Sequence, residues 1–299
     1  MKIRTTFQSS RGSVSCAARD AFSLVEVLVV TGLLSVIIIG VVLMFGQTQR
    51  AFKLGTTQVD VLESGRLVSE MMRRELSQMV PANVVNATNF LVEQSPPARY
   101  GPPLVPNQYV QDLAGSSFKR ANRTQQLLFL TRNNQDWASV GYLVGGTNNG
   151  IGSLYRFEYK TRPSFSPLLH TGFFDFDAAN LYRFDLPSTN MSRLIEGVVH
   201  FRCLVYDTLG RQLTATSIVN NVSLQLDALG TDPKCAFYSN AVPASVELEL
   251  GILEEKAAER ARSIGDATAR ANFLAQQASK VHIFRWRVPV RNVDPSAYP

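Results

Sequence analysis

Residues 27–45, "VLVVTGLLSVIIIGVVLMF", are 19 residues in a row without an ionisable side chain. Wound as a helix at about 1.5 Å per residue the run is roughly 28 Å long, close to the ~30 Å hydrocarbon thickness of a bilayer. A segment this apolar has to be shielded from water, and that requirement limits the whole chain more than any other feature does. Immediately before it stands one carboxylate, Glu26. A carboxylate at membrane depth costs on the order of 3 kcal/mol, so Glu26 calls for a partner or a task.

Charge around the run sets an orientation. Lys2, Arg4, Arg11 and Arg19 stand ahead of Phe22 with Asp20 as the one opposing acid there, and Arg50 and Lys53 follow the run. The bias favours a cytoplasmic amino terminus, with the body of the protein beyond the inner membrane. "GQTQRAF" after Phe45 has no small-residue cleavage pattern, which argues against an ordinary secretory signal. The formal net charge is +6; losing residues 1–21 removes those four bases and one acid and leaves +3, too little to argue for nucleic acid.

The stretch "AFSLVEVLVV" resembles the class III signal of type IV pilins and type II secretion pseudopilins: a short basic leader cut before a phenylalanine, with a glutamate four residues further on. The resemblance implies a prepilin peptidase that cuts between Ala21 and Phe22 and methylates the Phe22 amine. Ala21 departs from the glycine usual at that place. Phe22 and Glu26 are one helical turn apart on the same face. In a growing filament the freed amine of one subunit could be neutralised by Glu26 of a neighbour, because a charge in low dielectric is tolerated when paired. Thr31, Gly32, Ser35 and Gly40 offer small surfaces for close helix packing.

Beyond the apolar run, Val61, Gly65, Val68, Met72, Leu76 and Met79 recur every three or four residues and predict an amphipathic continuation of the helix over 47–80, stopped by Pro81. Glu63, Arg66, Glu70 and Arg74 read as pairs on its outer face. Residues 81–125, with "SPPARYGPPLVP", read as an irregular, proline-rich segment. Residues 126–299 read as a β-rich periplasmic domain. Its strand-like runs are "QQLLFLT", "ASVGYLVG", "SLYRFEYKT", "NLYRFDL", "EGVVHFRCLVYD", "VPASVELELGIL" and "VHIFRWRVPV". "GGTNNGIG" reads as a hairpin turn, since Asn149-Gly150 suits positive φ. Residues 254–280 are rich in Ala, Glu, Arg and Gln and predict one helix inserted before the last strand, its thin apolar stripe covering the chain's own domain.

Within these strands Gly197, Val198, Phe201, Tyr206 and Asp207, then Pro243, Val246, Leu248 and Leu250, then Phe284 and Pro289 resemble the carboxy-terminal strands of the J-type minor pseudopilins of general secretion. The resemblance implies an α+β, pilin-like fold in which a long amino-terminal helix packs on antiparallel β-sheet. It implies a non-enzymatic subunit at the pseudopilus tip that helps initiate the filament for protein export. The implied partners are the prepilin peptidase, I-type and K-type minor pseudopilins, the major pseudopilin, the inner-membrane assembly platform and the membrane itself. A minor pilin of a type IV pilus or DNA-uptake apparatus shares the anchor and is the nearest alternative, with Arg285, Trp286 and Arg287 as residues that could meet DNA. An anchored periplasmic binding domain that never assembles is the other.

Catalytic signatures such as G-x-S-x-G or H-E-x-x-H are absent from the sequence, and no cofactor is expected. His170, His200 and His282 lack metal-type neighbours. Asp175, Asp177 and Asn180 supply calcium-type oxygens without the glycine turn and distal glutamate of a calcium loop. Cys203 alternates with Phe201 and Val205 as on a buried strand face, while Cys235 reads as part of a loop; in an oxidising periplasm the two could form a disulfide.

Overall fold

The structure, a computed structural model, describes residues 23–94, 109–112, 119–133, 136–145, 151–161, 191–213, 221–226 and 233–297. The chain divides into two compact units, Met1–Leu54 and Gly55–Pro299, and helix α1 (Leu24–Leu76) contributes to both. In the first unit every described residue of α1 with an assigned exposure is exposed. Its Val- and Ile-rich sequence has modest helix propensity in water. Away from water the backbone must satisfy its own polar groups, and a helix does so within one segment.

In the second unit the last turns of α1 are amphipathic. Val61, Gly65, Val68, Met72 and Leu76 are buried, as is Met79 just past the helix, and the last two side chains with Met72 are fully enclosed. The helix ends at Leu76, short of residue 80. Met79 is drawn into a bridge with Thr131, and the Val80 N–H donates to the Leu130 carbonyl at 3.1 Å. Pro81 also disfavours helical geometry at the residue before it. On the outer face the ion pair joins Glu70 to Arg73 at 3.9 Å, where the sequence suggested Arg74.

Nine antiparallel strands make one sheet: β1 (Val84–Gln94), β4 (Gln125–Asn133), β5 (Asp136–Gly145), β6 (Gly152–Thr161), β7 (Met191–Tyr206), β8 (Val222–Leu226), β9 (Pro233–Ser239), β10 (Ser245–Leu253) and β11 (Val281–Pro289). Their order is β11-β10-β7-β6-β5-β4-β1-β9-β8, and β2 (Tyr109–Asp112) pairs separately with β3 (Lys119–Ala121). The sheet curls on itself. Thr124, just before β4, bridges Phe201 of β7, although β5 and β6 lie between β4 and β7 in strand order. The Phe201 N–H donates to the Arg123 carbonyl at 2.7 Å, and the Cys203 N–H to the Gln125 side-chain oxygen at 2.6 Å. One source of the bend is the bulged path of β7, whose register shifts against β10 between Gly251 and Ile252 and against β6 at Gly197; Gly197 has φ +78°, and a Cβ there would lie 2.8 Å from the Leu253 carbonyl oxygen.

The main core fills the inside of the curl with the α1 stripe, Phe90, Leu127, Phe129, Tyr142, Leu154, Phe201, Phe237, Leu248 and Leu250. Phe90 meets Phe237 edge-on at 5.7 Å between centroids, and Phe129 stacks on Tyr142 at 6.3 Å. A smaller cluster is built where α2 (Glu255–Ser263) lays Ala257, Ala258 and Ala261 on Val199, Leu253 and Val281.

Three expectations are corrected. Residues 81–125 are not wholly irregular, since they hold β1, β2 and β3. Cys235 lies on strand β9, which opens with Pro233 at its first position, where a missing N–H is tolerated. The insertion is two helices, α2 and α3 (Ala267–Gln276), parted at Ile264-Gly265-Asp266, with Asp266 capping the second by accepting from the Ala269 N–H at 2.6 Å. The runs "SPPARYGPPLVP" and "NLYRFDL", the turn residues 146–150, His170 and the Asp175, Asp177, Asn180 group lie outside the described residues.

Candidate functional site

Glu26 stands in the first turn of α1, flanked by Val25, Val27, Val29 and Val30, each half exposed or more. The helix supplies no partner for it: among the described residues Glu26 makes no ion pair or hydrogen bond. An acid in a first turn gains about 0.3–1 kcal/mol from the helix dipole, well short of the ~3 kcal/mol that a buried carboxylate costs in lipid. Ala21 and Phe22 lie outside the described residues.

The rest of this face hides its polarity. Thr31 donates to the Val27 carbonyl at 2.9 Å, Ser35 to Thr31 at 2.8 Å and Thr48 to Met44 at 2.9 Å, so each hydroxyl is satisfied by its own helix. A Cβ added at Gly32, Gly40 or Gly46 would meet nothing within 4 Å. Leu28, Leu33, Leu34, Ile37 and Ile39 are all more than half exposed. What α1 presents here is a smooth apolar rod with one carboxylate near its tip. It is long and apolar enough to cross a membrane.

At the other end of α1, Glu75 meets the sheet. The Tyr142 hydroxyl donates to one oxygen of Glu75, and Arg156 donates through Nε at 2.9 Å and Nη2 at 2.9 Å to the other. Arg156 also reaches Glu158 at 2.9 Å. Burial and then the Glu75 charge push the Tyr142 phenol far above its ordinary range, so it stays a neutral donor. Burial works against the Arg156 charge, and Glu75 and Glu158 outweigh it. Sequence reading passed over this network. The available signal was an acid on the flank of the apolar stripe, one residue before Leu76.

Cys203 and Cys235 are both free thiols in the main core, and no disulfide joins them. Burial pushes both thiols up, with Cys235 adding to the effect on Cys203. Thiol exchange needs a thiolate, which this setting suppresses. His200 of β7 is buried; its Nδ1 accepts from the Arg123 N–H at 3.0 Å and its Nε2 faces Glu249 at 3.4 Å. His282 of β11 faces Glu254 at 3.3 Å. Among the described residues no group of three or more His, Cys, Asp or Glu could hold a metal ion.

The arginines offered as DNA contacts are engaged within the sheet. Arg285 is ion-paired with Glu247 and, at 3.5 Å, with Glu249. Arg287 donates to the Ser245 hydroxyl at 2.8 Å and lies 3.7 Å over the Tyr206 ring, while Trp286 packs against the main core. Comparison with family models, curated proteins and solved structures finds no match.

Proposed function

We propose that the chain is a minor pseudopilin of a type II secretion-like machine, of the J type, and that it works by assembly. One observation carries the reading: an apolar helix surface with its hydroxyls internally bonded, its glycines open, and a single carboxylate in the first turn that finds no partner in its own helix. Cleavage after Ala21 would place a new amine on Phe22, one turn from Glu26. Glu26 would then receive the Phe22 amine of a neighbouring subunit, making the cost of an unpaired charge a signal for register.

The second unit supports the same reading. An amphipathic helix end held on an antiparallel sheet by Glu75, Tyr142 and Arg156 gives a rigid body that can present loops at a filament tip. The inner membrane is the proposed location, with the sheet domain in the periplasm.

Co-expression of the full chain with candidate I-type, K-type and major pseudopilins tests the proposal. Wild type should co-purify with them from detergent, Glu26→Ala should lose the complex, and Glu26→Asp should keep part of it. A complex indifferent to Glu26→Ala, or no complex with any such subunit, overturns the reading.

A further inference from the structure

A groove of about 250 Å³ opens in the second unit between α1, the bulge of β7 and α2. Its floor is apolar: Val61, Ile195, Ile252, Leu253 and Ala258. The Gly197 bulge shapes it, because the positive φ turns the chain where β7 passes under α2. Its rim is acidic. Asp60 projects from α1, Glu255 from the first turn of α2 and Glu196 from β7, against one base, Arg262.

The charges on this rim are unequally engaged. Glu196 is paired with Arg193 and lies 3.5 Å from Arg262, so the one base that lines the groove already faces an acid. Asp60 and Glu255, by contrast, are exposed and have no ion pair or hydrogen bond among the described residues. The groove therefore combines an oily floor with two uncompensated carboxylates at its mouth. The side chains that match both features are those of arginine and lysine, whose aliphatic stems cover apolar surface while the charged head stays with acids or water.

We propose that this groove is the docking site for a basic side chain carried by a partner subunit, its stem on Ile195, Ile252 and Ala258 and its cation between Asp60 and Glu255. The occupant is a protein segment: a groove of about 250 Å³ holds little more than one long side chain and gains affinity only when the rest of a surface is held beside it. That the partner is another pilin-like subunit rests on the function proposed above; the chemistry of the groove does not.

The test places a photo-crosslinking amino acid at Glu259, which is exposed on α2 beside the rim, in the full chain made in its own cells. The expected product is a covalent link to a peptide that has an arginine or lysine within one helical turn of the linked residue. Asp60→Asn with Glu255→Gln should lower its yield at least fivefold without changing the amount of folded protein. Asp60→Lys with Glu255→Lys should abolish it, and reversing the partner's mapped base to glutamate should restore it. No link at all, a link only to lipid, a linked peptide without a base, or a yield indifferent to the two carboxylates overturns the proposal. If the charge-dependent link forms with a protein that has no apolar amino-terminal helix, the docking site stands and the pseudopilin reading falls.

Discussion

Two glycines on one helix separate its two parts. Around Gly40 an added Cβ would meet nothing within 4 Å, whereas at Gly65 it would lie 2.3 Å from the Phe284 ring. The leucines differ in the same way: Leu34 is 53% exposed and Leu76 is 0% exposed. Apolar sequence alone therefore does not mark a core. It marks surface that needs cover, and among the described residues only the stripe in the second unit finds that cover within the chain.

Substitutions in the two parts should therefore differ sharply. Leu76→Ala should cost about 3–4 kcal/mol of unfolding free energy in the full chain in detergent, by the cavity left under the sheet. Leu34→Ala should cost under about 0.5 kcal/mol, as surface changes usually do. Equal losses in denaturant titrations would break the comparison. Next, Glu75→Ala should cost about 3 kcal/mol, at the low end for a broken buried pair because Glu158 still partners Arg156. Replacing Tyr142 by Phe as well should cost less than the sum of the single changes, a non-additivity that a double-mutant cycle reads directly.

Gly65→Leu comes third, at about 2 kcal/mol from overpacking against Phe284, while Gly40→Leu should leave the melting temperature unchanged and weaken co-purification with partner subunits. The smallest effect is a pH limb. Asp207 accepts from the Leu209 and Arg211 N–H groups at 2.9 and 2.8 Å and from Arg211 Nε at 2.9 Å. Burial alone would raise its pKa, yet the Arg211 and Leu209 contacts hold it below the usual carboxylate value. Its stabilisation is thus present above about pH 4 and is lost as pH falls through the folded value, where the unfolded state binds the proton more readily. Asp207→Asn should flatten that acid limb and leave stability above pH 6 only slightly lower.

The sequence exposed these differences unevenly. The α1 stripe from Val61 to Met79 was legible because one buried face against one sheet repeats at helical period. β4, β5, β6, β10 and β11 were legible as short runs of β-branched, aromatic and aliphatic residues between turn signals, even though β4, β5 and β10 are buried along nearly their whole length. β1 was not: its buried Asn89 interrupts the apolar pattern while bonding Ser239, Ala241 and Ala82. β9 opens on a proline and so looks like a loop. The insertion broke in two because Gly265-Asp266 is a stop followed by a cap, a pair of signals outweighed by the alanines around them. Of the candidate site, Glu26 stood out in a run with no other charge, whereas Glu75 was one acid among many on an amphipathic helix, and its importance comes from strands 67 and 81 residues away.

The account turns on an amino group created one helical turn before Glu26. Intact-mass and terminal-peptide analysis of the protein from its own cells reads that group directly. The account predicts a chain that begins at Phe22 and carries one methyl group on its amine; a chain that retains residues 1–21 would contradict it.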